Sequence, residues 1–175
     1  MSGAAVAIRA GTPEDAEAIA RIYAVQVLHG TAPFEEVPPT VEEMRARIEA
    51  RLARGFPVLV AERAGRVVGH AWVGPYRERT AYRHTVENSV YVEEGQTGRG
   101  IGRALLARLI AECRARGFRQ IVAVIGDSAN HASIALHRRA GFRHVGVLRG
   151  VGVKFGRALD TVLMQLDLTE GQADQ

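Results

Sequence analysis

Apolar residues recur along the chain with two alternating periods, and the switches between them mark out its elements. Ala5–Arg9 (AVAIR) reads as a short strand. Thr12-Pro13 follows, a cap and a first-turn proline whose missing N–H costs nothing. Ala16, Ile19, Ala20, Tyr23 and Val27 then fall on one stripe at helical spacing. Gly30–Pro39 (GTAPFEEVPP) is a proline-rich loop. Thr40 and Glu43 have the spacing of a capping box and predict a second helix, carrying Val41, Met44, Ile48 and Leu52 and ended by Gly55. PVLVAER and RVVGHAWVG flank Ala64-Gly65 as a β-hairpin. Tyr76–His84 is a polar loop, and Thr85–Val92 (TVENSVYV) is a strand.

A turn with three alternating glycines, Gly98, Gly100 and Gly102, leads into the next helix. Ile101, Leu105 and Leu109 line one edge of it; Leu106, Ile110 and Cys113 line the next; Gly117 closes it. Gln120–Gly126 has five apolar residues in a row, which predicts a strand covered on both faces. NHASIALHRRAG is a short helix ending at Gly141, and FRHVGVLRG and ALDTVLMQLDL are the last strands. The order is β-α-α-β-β-β-α-β-α-β-β, without repeat or linker. It predicts one α/β domain over residues 1–175, with 168–175 as a frayed tail. Trp72, Cys113 and Met164 are assigned to the core.

Composition narrows the class. The chain has 175 residues, 47% hydrophobic and 24% charged, as in an ordinary soluble domain with a sizeable core. It has no apolar run that could cross a bilayer, and its N-terminus lacks the pattern of a signal peptide. The lone cysteine excludes an internal disulfide and makes the cytoplasm the default compartment. The net charge of +4 comes from arginines spread along the chain, with no zinc-finger spacing and no RNA-binding aromatic motif. That distribution suits a small polyanion such as a nucleotide cofactor better than a nucleic acid.

The glycine turn is the sharpest chemical signal. It is not a P-loop, because no Gly-Lys-Ser/Thr follows. It is not the dinucleotide fingerprint either, because Arg103 or Leu105 stands at the third glycine position. What remains is a backbone without Cβ obstruction, leading into a helix N-terminus whose N–H groups are unpaired, with Arg99 and Arg103 adding positive charge. A pyrophosphate fits such a cradle; an unliganded tight turn is the alternative.

With its flanks the turn reads VYVEEGQTGRGIGRALL, which resembles the acetyl-CoA motif of the GNAT superfamily of N-acetyltransferases. Thr97 stands where that motif usually has Gln or Arg. The resemblance implies the GNAT fold: a mixed central sheet of about six or seven strands, about four helices, and a bulge or splay at the fourth strand. It implies acetyl-CoA as donor, held by Gly98, Arg99, Gly100, Ile101, Gly102 and Arg103, by Val90, Tyr91 and Val92, and by Asn130 and Ser133. Within the superfamily, FPVLVAER, GHAWVGPYRERTAYRHTVENSVYV, VAVIG, SIALHRRAGF and GVKFGRALDTVLMQLDL are similar to the phosphinothricin and methionine sulfoximine N-acetyltransferases over roughly residues 6–168. That similarity implies a homodimer and a small amino acid analogue as acceptor; no metal is expected, and the spread of charge and the apolar runs already point away from a nucleic acid or membrane partner. Toxin resistance as the biological role stays open.

The chemistry then falls on particular residues. Glu87 shares strand parity with Thr85, Ser89 and Tyr91, opposite Val86, Val90 and Val92. Spacing alone allows a solvated face or an ion pair with a nearby arginine. The resemblance puts on Glu87 the general base that an acceptor amine, protonated at neutral pH, requires. It places His137 near the reaction as proton donor or CoA-positioning group, against the alternative of a surface histidine. Arg77 and Arg79 suit an anionic second group on the acceptor, with Phe34 and Tyr82 as walls; Glu78, Thr85, Asn88 and Ser89 are grouped with them. Lys154, Phe155, Gly156 and Asp160 are taken as structural. The competing readings are an acetyltransferase for a protein N-terminus, polyamine or aminoglycoside, and a non-catalytic acyl-CoA-binding module. The basic 77–83 loop disfavours the cationic acceptors, and a binding module has no need of Glu87.

Overall fold

The computed structural model describes residues 5–169. The elements follow the order read from the sequence: β1 (Val6–Ala10), α1 (Ala16–His29), α2 (Val41–Ala53), β2 (Val58–Arg63), β3 (Arg66–Pro75), β4 (Thr85–Val92), α3 (Ile101–Ala115), β5 (Gln120–Gly126), α4 (His131–Arg139), β6 (Arg143–Lys154) and β7 (Arg157–Asp167). The start of α2 is built as its spacing predicts. Thr40 Oγ1 accepts from Glu43 N, and Thr40 N donates to the Glu43 carboxylate. Before α1, Pro13–Asp15 forms a 3₁₀ turn, where Asp15 accepts from Thr12 N and pairs with Arg9 at 2.8 Å.

Seven strands form one sheet in the order β1-β2-β3-β4-β5-β7-β6. Every pairing is antiparallel except β4 with β5, which are joined by the crossover helix α3. Period-2 alternation sends the strands' side chains into two cores. On one face, Val86, Ile121, Ala123 and Met164 pack with Leu105, Leu106, Leu109 and Cys113 of α3. On the other, Val58, Val60 and Trp72 pack with Ile19, Tyr23 and Val27 of α1 and Met44 and Ile48 of α2.

The feature that positions the site is a fork. β4 pairs with β5 only over Thr85–Asn88, opposite Gln120–Ala123. Beyond that point β4 stays on β3 as far as Val92, and β5 stays on β7 as far as Gly126, so the two strands part. The splay expected at the fourth strand is therefore present, but no bulge accompanies it. The β3–β4 register is unbroken, and irregularities occur instead between Ala61 and Glu62 and within β6.

Three expectations need correction. β5 is covered on one face only: Ile121, Ala123 and Ile125 are buried, while Val122 is half-buried and Val124 is exposed, because α1 and α2 pack over the other end of the sheet. Leu52, the last residue of the α2 stripe, is exposed. Leu168, expected in the tail, is buried and its N–H donates to Arg119 O. The rest of that tail, 170–175, lies outside the described residues.

Candidate active site

The glycine turn opens α3. Gly98 and Gly100 have φ of +75° and +80°, and Gly100 is the N-cap in the left-handed region. A Cβ at either would meet nothing within 4 Å, so it is backbone conformation that requires glycine there, and the space over the turn is open. Gly102 serves differently. A Cβ there would lie in ordinary contact, 3.6 Å from Leu136 and Val92, so Gly102 marks where α3 passes α4 and the end of β4. The first intrahelical bond is from Ala104 N to Gly100 O, which leaves the N–H groups of Ile101, Gly102 and Arg103 without helical acceptors. The first turn contains no acid, and Arg99 and Arg103 are exposed. Such a terminus attracts an anion.

From this turn, β4 leads back to the fork. Val90 and Val92 face the α3 side, and Tyr91 faces α1, edge-on to Tyr23 at 5.1 Å. Ser89–Val92 have no strand partner on the β5 side. Glu87 lies on the same face as Tyr91, between Gly74 of β3, which has no side chain to set beside it, and Val122 of β5. It is half-buried; burial raises its pKa, and no cation offsets the rise. The ion pair that spacing alone allowed is therefore not what holds this carboxylate.

The opposite face of the same strand carries Asn88, which is buried against α4. Asn88 Nδ2 lies 2.9 Å from His137 Nε2, and His137 Nδ1 lies 2.8 Å from Ser133 O. His137 is 4% exposed and so is not a surface histidine, and burial lowers its pKa below the ordinary histidine value. The structure thus joins Asn88 to His137 and turns both away from the face that bears Glu87. Asn130 caps α4, its Oδ1 accepting from Ser133 N.

The remaining acceptor-side candidates form two groups. Phe34 lies across β5 and β6: a Cβ at Gly126 would come within 2.8 Å of its ring, and one at Gly152 closer still. Its loop is tied down by buried Lys154, whose Nζ donates to Pro33 O at 2.7 Å. Arg77, Glu78, Arg79 and Tyr82 lie in the exposed link from β3 to β4. Arg77 lies over the Tyr76 ring, Glu78 pairs with Arg54 at 3.4 Å, and Tyr76 and Tyr82 meet edge-on. A cleft of about 260 Å³ includes Tyr76, Tyr82, Thr85, Val122 and Val145 in its lining, but none of Glu87, Arg77 or Arg79.

Residues 8–163 match the family described as acetyltransferase (GNAT) domain. The chain belongs to the GNAT acetyltransferases. It is 50% identical to a phosphinothricin N-acetyltransferase of Alcaligenes faecalis, over 98% of this chain and 87% of that protein. It is 45% identical to an L-methionine sulfoximine/L-methionine sulfone acetyltransferase of Salmonella typhimurium, over 95% and 96%. A solved putative acetyltransferase from Salmonella typhimurium, with its cofactor acetyl-CoA, superposes with a TM-score of 0.92 at 44% identity, covering 98% of each chain. The protein is thus an N-acetyltransferase, and acetyl-CoA is the donor of its family. The residues present fit that donor: three free N–H groups, two arginines, no first-turn acid and open space at Gly98 and Gly100.

Several groups around this GNAT site escaped the sequence. Glu35 accepts from Tyr23 Oη and from both terminal nitrogens of Arg47, and Arg51 stacks on Trp72 at 4.4 Å. His70, opposite Tyr91 on β3, is fully buried among Tyr23, Trp72 and Tyr91, with neither ring nitrogen bonded among the described residues and its pKa down to about 3. These partners are far apart in sequence, and only the alternation of His70 with Trp72 hinted at their shared face.

Proposed function

We propose that the protein transfers acetyl from acetyl-CoA to the α-amine of a small amino acid analogue of the methionine sulfoximine, methionine sulfone or phosphinothricin type, with Glu87 as general base. The observation that carries this is the half-buried, cation-free Glu87 one residue before the point where β4 leaves β5. Acetyl-CoA supplies an activated thioester. The α3 N-terminus, with Arg99 and Arg103, holds its pyrophosphate, and Asn130 and Ser133 flank its arm. Glu87, made more basic by burial, takes a proton from the acceptor ammonium directly or through one water. The unpaired edge of Ser89–Val92 supplies N–H groups for the negative charge that develops on the thioester oxygen. The departing thiolate is stable enough near neutral pH to need no strong acid.

Acceptor recognition is assigned to Arg77 and Arg79, whose guanidinium forks suit carboxylate, phosphinate or sulfoximine oxygens, and to Phe34 and Tyr82 as walls. A homodimer is part of this reading, supported by the uncovered apolar face of β5 and β6. So is a cytoplasmic location, supported by a single cysteine that can form no internal disulfide.

The test is a panel of methionine sulfoximine, methionine sulfone, phosphinothricin, spermidine and a short peptide, followed through CoA release. Turnover is expected with the first three, and Glu87→Ala is expected to lose about 10²- to 10⁴-fold in kcat/KM. Near-normal turnover by that variant would remove Glu87 from the mechanism, and preference for spermidine or the peptide would replace the acceptor class.

A further inference from the structure

The carboxamide of Asn88 is held at one end only. Ser133 O can only accept, so the 2.8 Å contact requires the proton to sit on His137 Nδ1. The neutral ring then presents a lone pair at Nε2, and the 2.9 Å contact is donation from Asn88 Nδ2. Asn88 Oδ1 is left buried without a hydrogen-bond partner among the described residues. Inverting the amide does not help, because it would set Oδ1 against that lone pair and orphan Nδ2 instead. A buried acceptor left unpaired is destabilising.

The location gives the orphan a purpose. Asn88 is the last residue of β4 paired with β5, opposite Ala123. It therefore stands at the vertex of the fork, on the face covered by α3 and α4. At the other end of this stretch, Gly102 of α3 lies beside Leu136 of α4 and Val92 of β4.

We infer that Asn88 is a positioning residue for the transfer. Its Oδ1 accepts a hydrogen bond from the amide N–H nearest the sulfur of acetyl-CoA and so fixes how deep the thioester enters the fork. The inference rests on the donor placement given under Proposed function. His137 acts through Asn88: its Nε2 bears no proton to give, and its Nδ1–H is committed to Ser133 O.

The probes are CoA and a CoA analogue in which that amide N–H is replaced by an ester oxygen, titrated calorimetrically into wild type, Asn88→Ala and Asn88→Asp. Wild type is expected to bind the ester about tenfold more weakly, equivalent to about 1.4 kcal/mol. Asn88→Ala is expected to bind the two probes alike, and Asn88→Asp, which keeps an acceptor oxygen, to restore the preference. In turnover, Asn88→Ala should raise KM for acetyl-CoA and leave KM for the amino acid unchanged. Equal binding of both probes by wild type overturns the inference even if the alanine variant fails to fold, as does a preference that survives in Asn88→Ala. A wild type that binds neither probe overturns the donor placement itself.

Discussion

Glu87 and His70 sit on the same sheet face, and burial acts on them in opposite directions. For Glu87 burial favours the neutral acid, so its pKa in the folded chain lies above the ordinary 4.5. As a base it works only when ionised, so the acid limb of kcat/KM should fall at a pH above 4.5. Its effect on stability has the sign of a raised acid: favourable at low pH and lost as pH rises through the folded pKa. Glu87→Gln should therefore be nearly inactive yet melt higher than wild type at pH 7.5, with the advantage shrinking as pH falls to 4.5. Scanning calorimetry at the two pH values checks this, and a lower melting temperature at pH 7.5 contradicts it. For His70 burial favours the neutral ring, taking the pKa from 6.5 to about 3. The unfolded chain then binds the extra proton between those values, so stability should drop as pH falls from about 6.5 towards 3. His70→Phe, which keeps a ring between Tyr23, Trp72 and Tyr91, should flatten that part of the profile in urea melts recorded from pH 7 to pH 4. An unchanged acid slope would mean that His70 is not what titrates.

At the scale of elements, local signals decided which parts of the structure were legible. The Thr40–Glu43 spacing placed a helix start, Ala64-Gly65 placed a hairpin, and the limits of Thr85–Val92 and Gln120–Gly126 agree with the strands found. Each rests on neighbours within a few residues. Illegible was whatever depends on which element lies across the sheet. The open face of β5 is one case, since five apolar residues in a row look the same whether a helix covers them or not. The seat of Phe34 is another. Gly126 closes a predicted strand and Gly152 falls in the link between the last two, with nothing in either position to suggest that their missing Cβ atoms make room for its ring. Gly152 has no positive φ, so substitution there acts through sterics alone. Gly152→Ala should push Phe34 from its seat, raise KM for the acceptor more than KM for acetyl-CoA, and lower stability by about 1–3 kcal/mol. Adding Phe34→Ala should recover most of that stability, because the clash then has no second member. Losses that simply add in this double-mutant cycle would show that the ring does not occupy the seat.

For the whole molecule, the uneven distribution of helices over the sheet has a consequence for assembly. α1 and α2 cover one face near β2 and β3 and, apart from the Phe34 loop over Gly126 and Gly152, leave β5 and β6 uncovered there. On that face Val124 of β5 is 39% exposed and Val145 and Leu148 of β6 are exposed; Val153, which the register turns to the other face, Val151 and Phe155 in the following turn are exposed as well. β6 is also the edge strand of the sheet. A long apolar edge invites pairing unless charges or prolines blunt it, and from Val145 to Phe155 the charged side chains are Arg149 and Lys154, the latter buried under the Phe34 loop. A second copy of the chain is the occupant that a two-fold arrangement supplies most simply, since it covers both bare faces at once. The wild-type protein should therefore sediment as a dimer at micromolar concentration, with a melting temperature that rises with protein concentration. Val124→Arg sets a charge in the half-open face of β5, where it meets solvent in the monomer and apolar surface in the dimer. It should sediment as a folded monomer whose melting temperature no longer depends on concentration. A wild type that sediments as a monomer across that range would leave the apolar edge without this partner, and a Val124→Arg protein that stays dimeric would move the contact off β5.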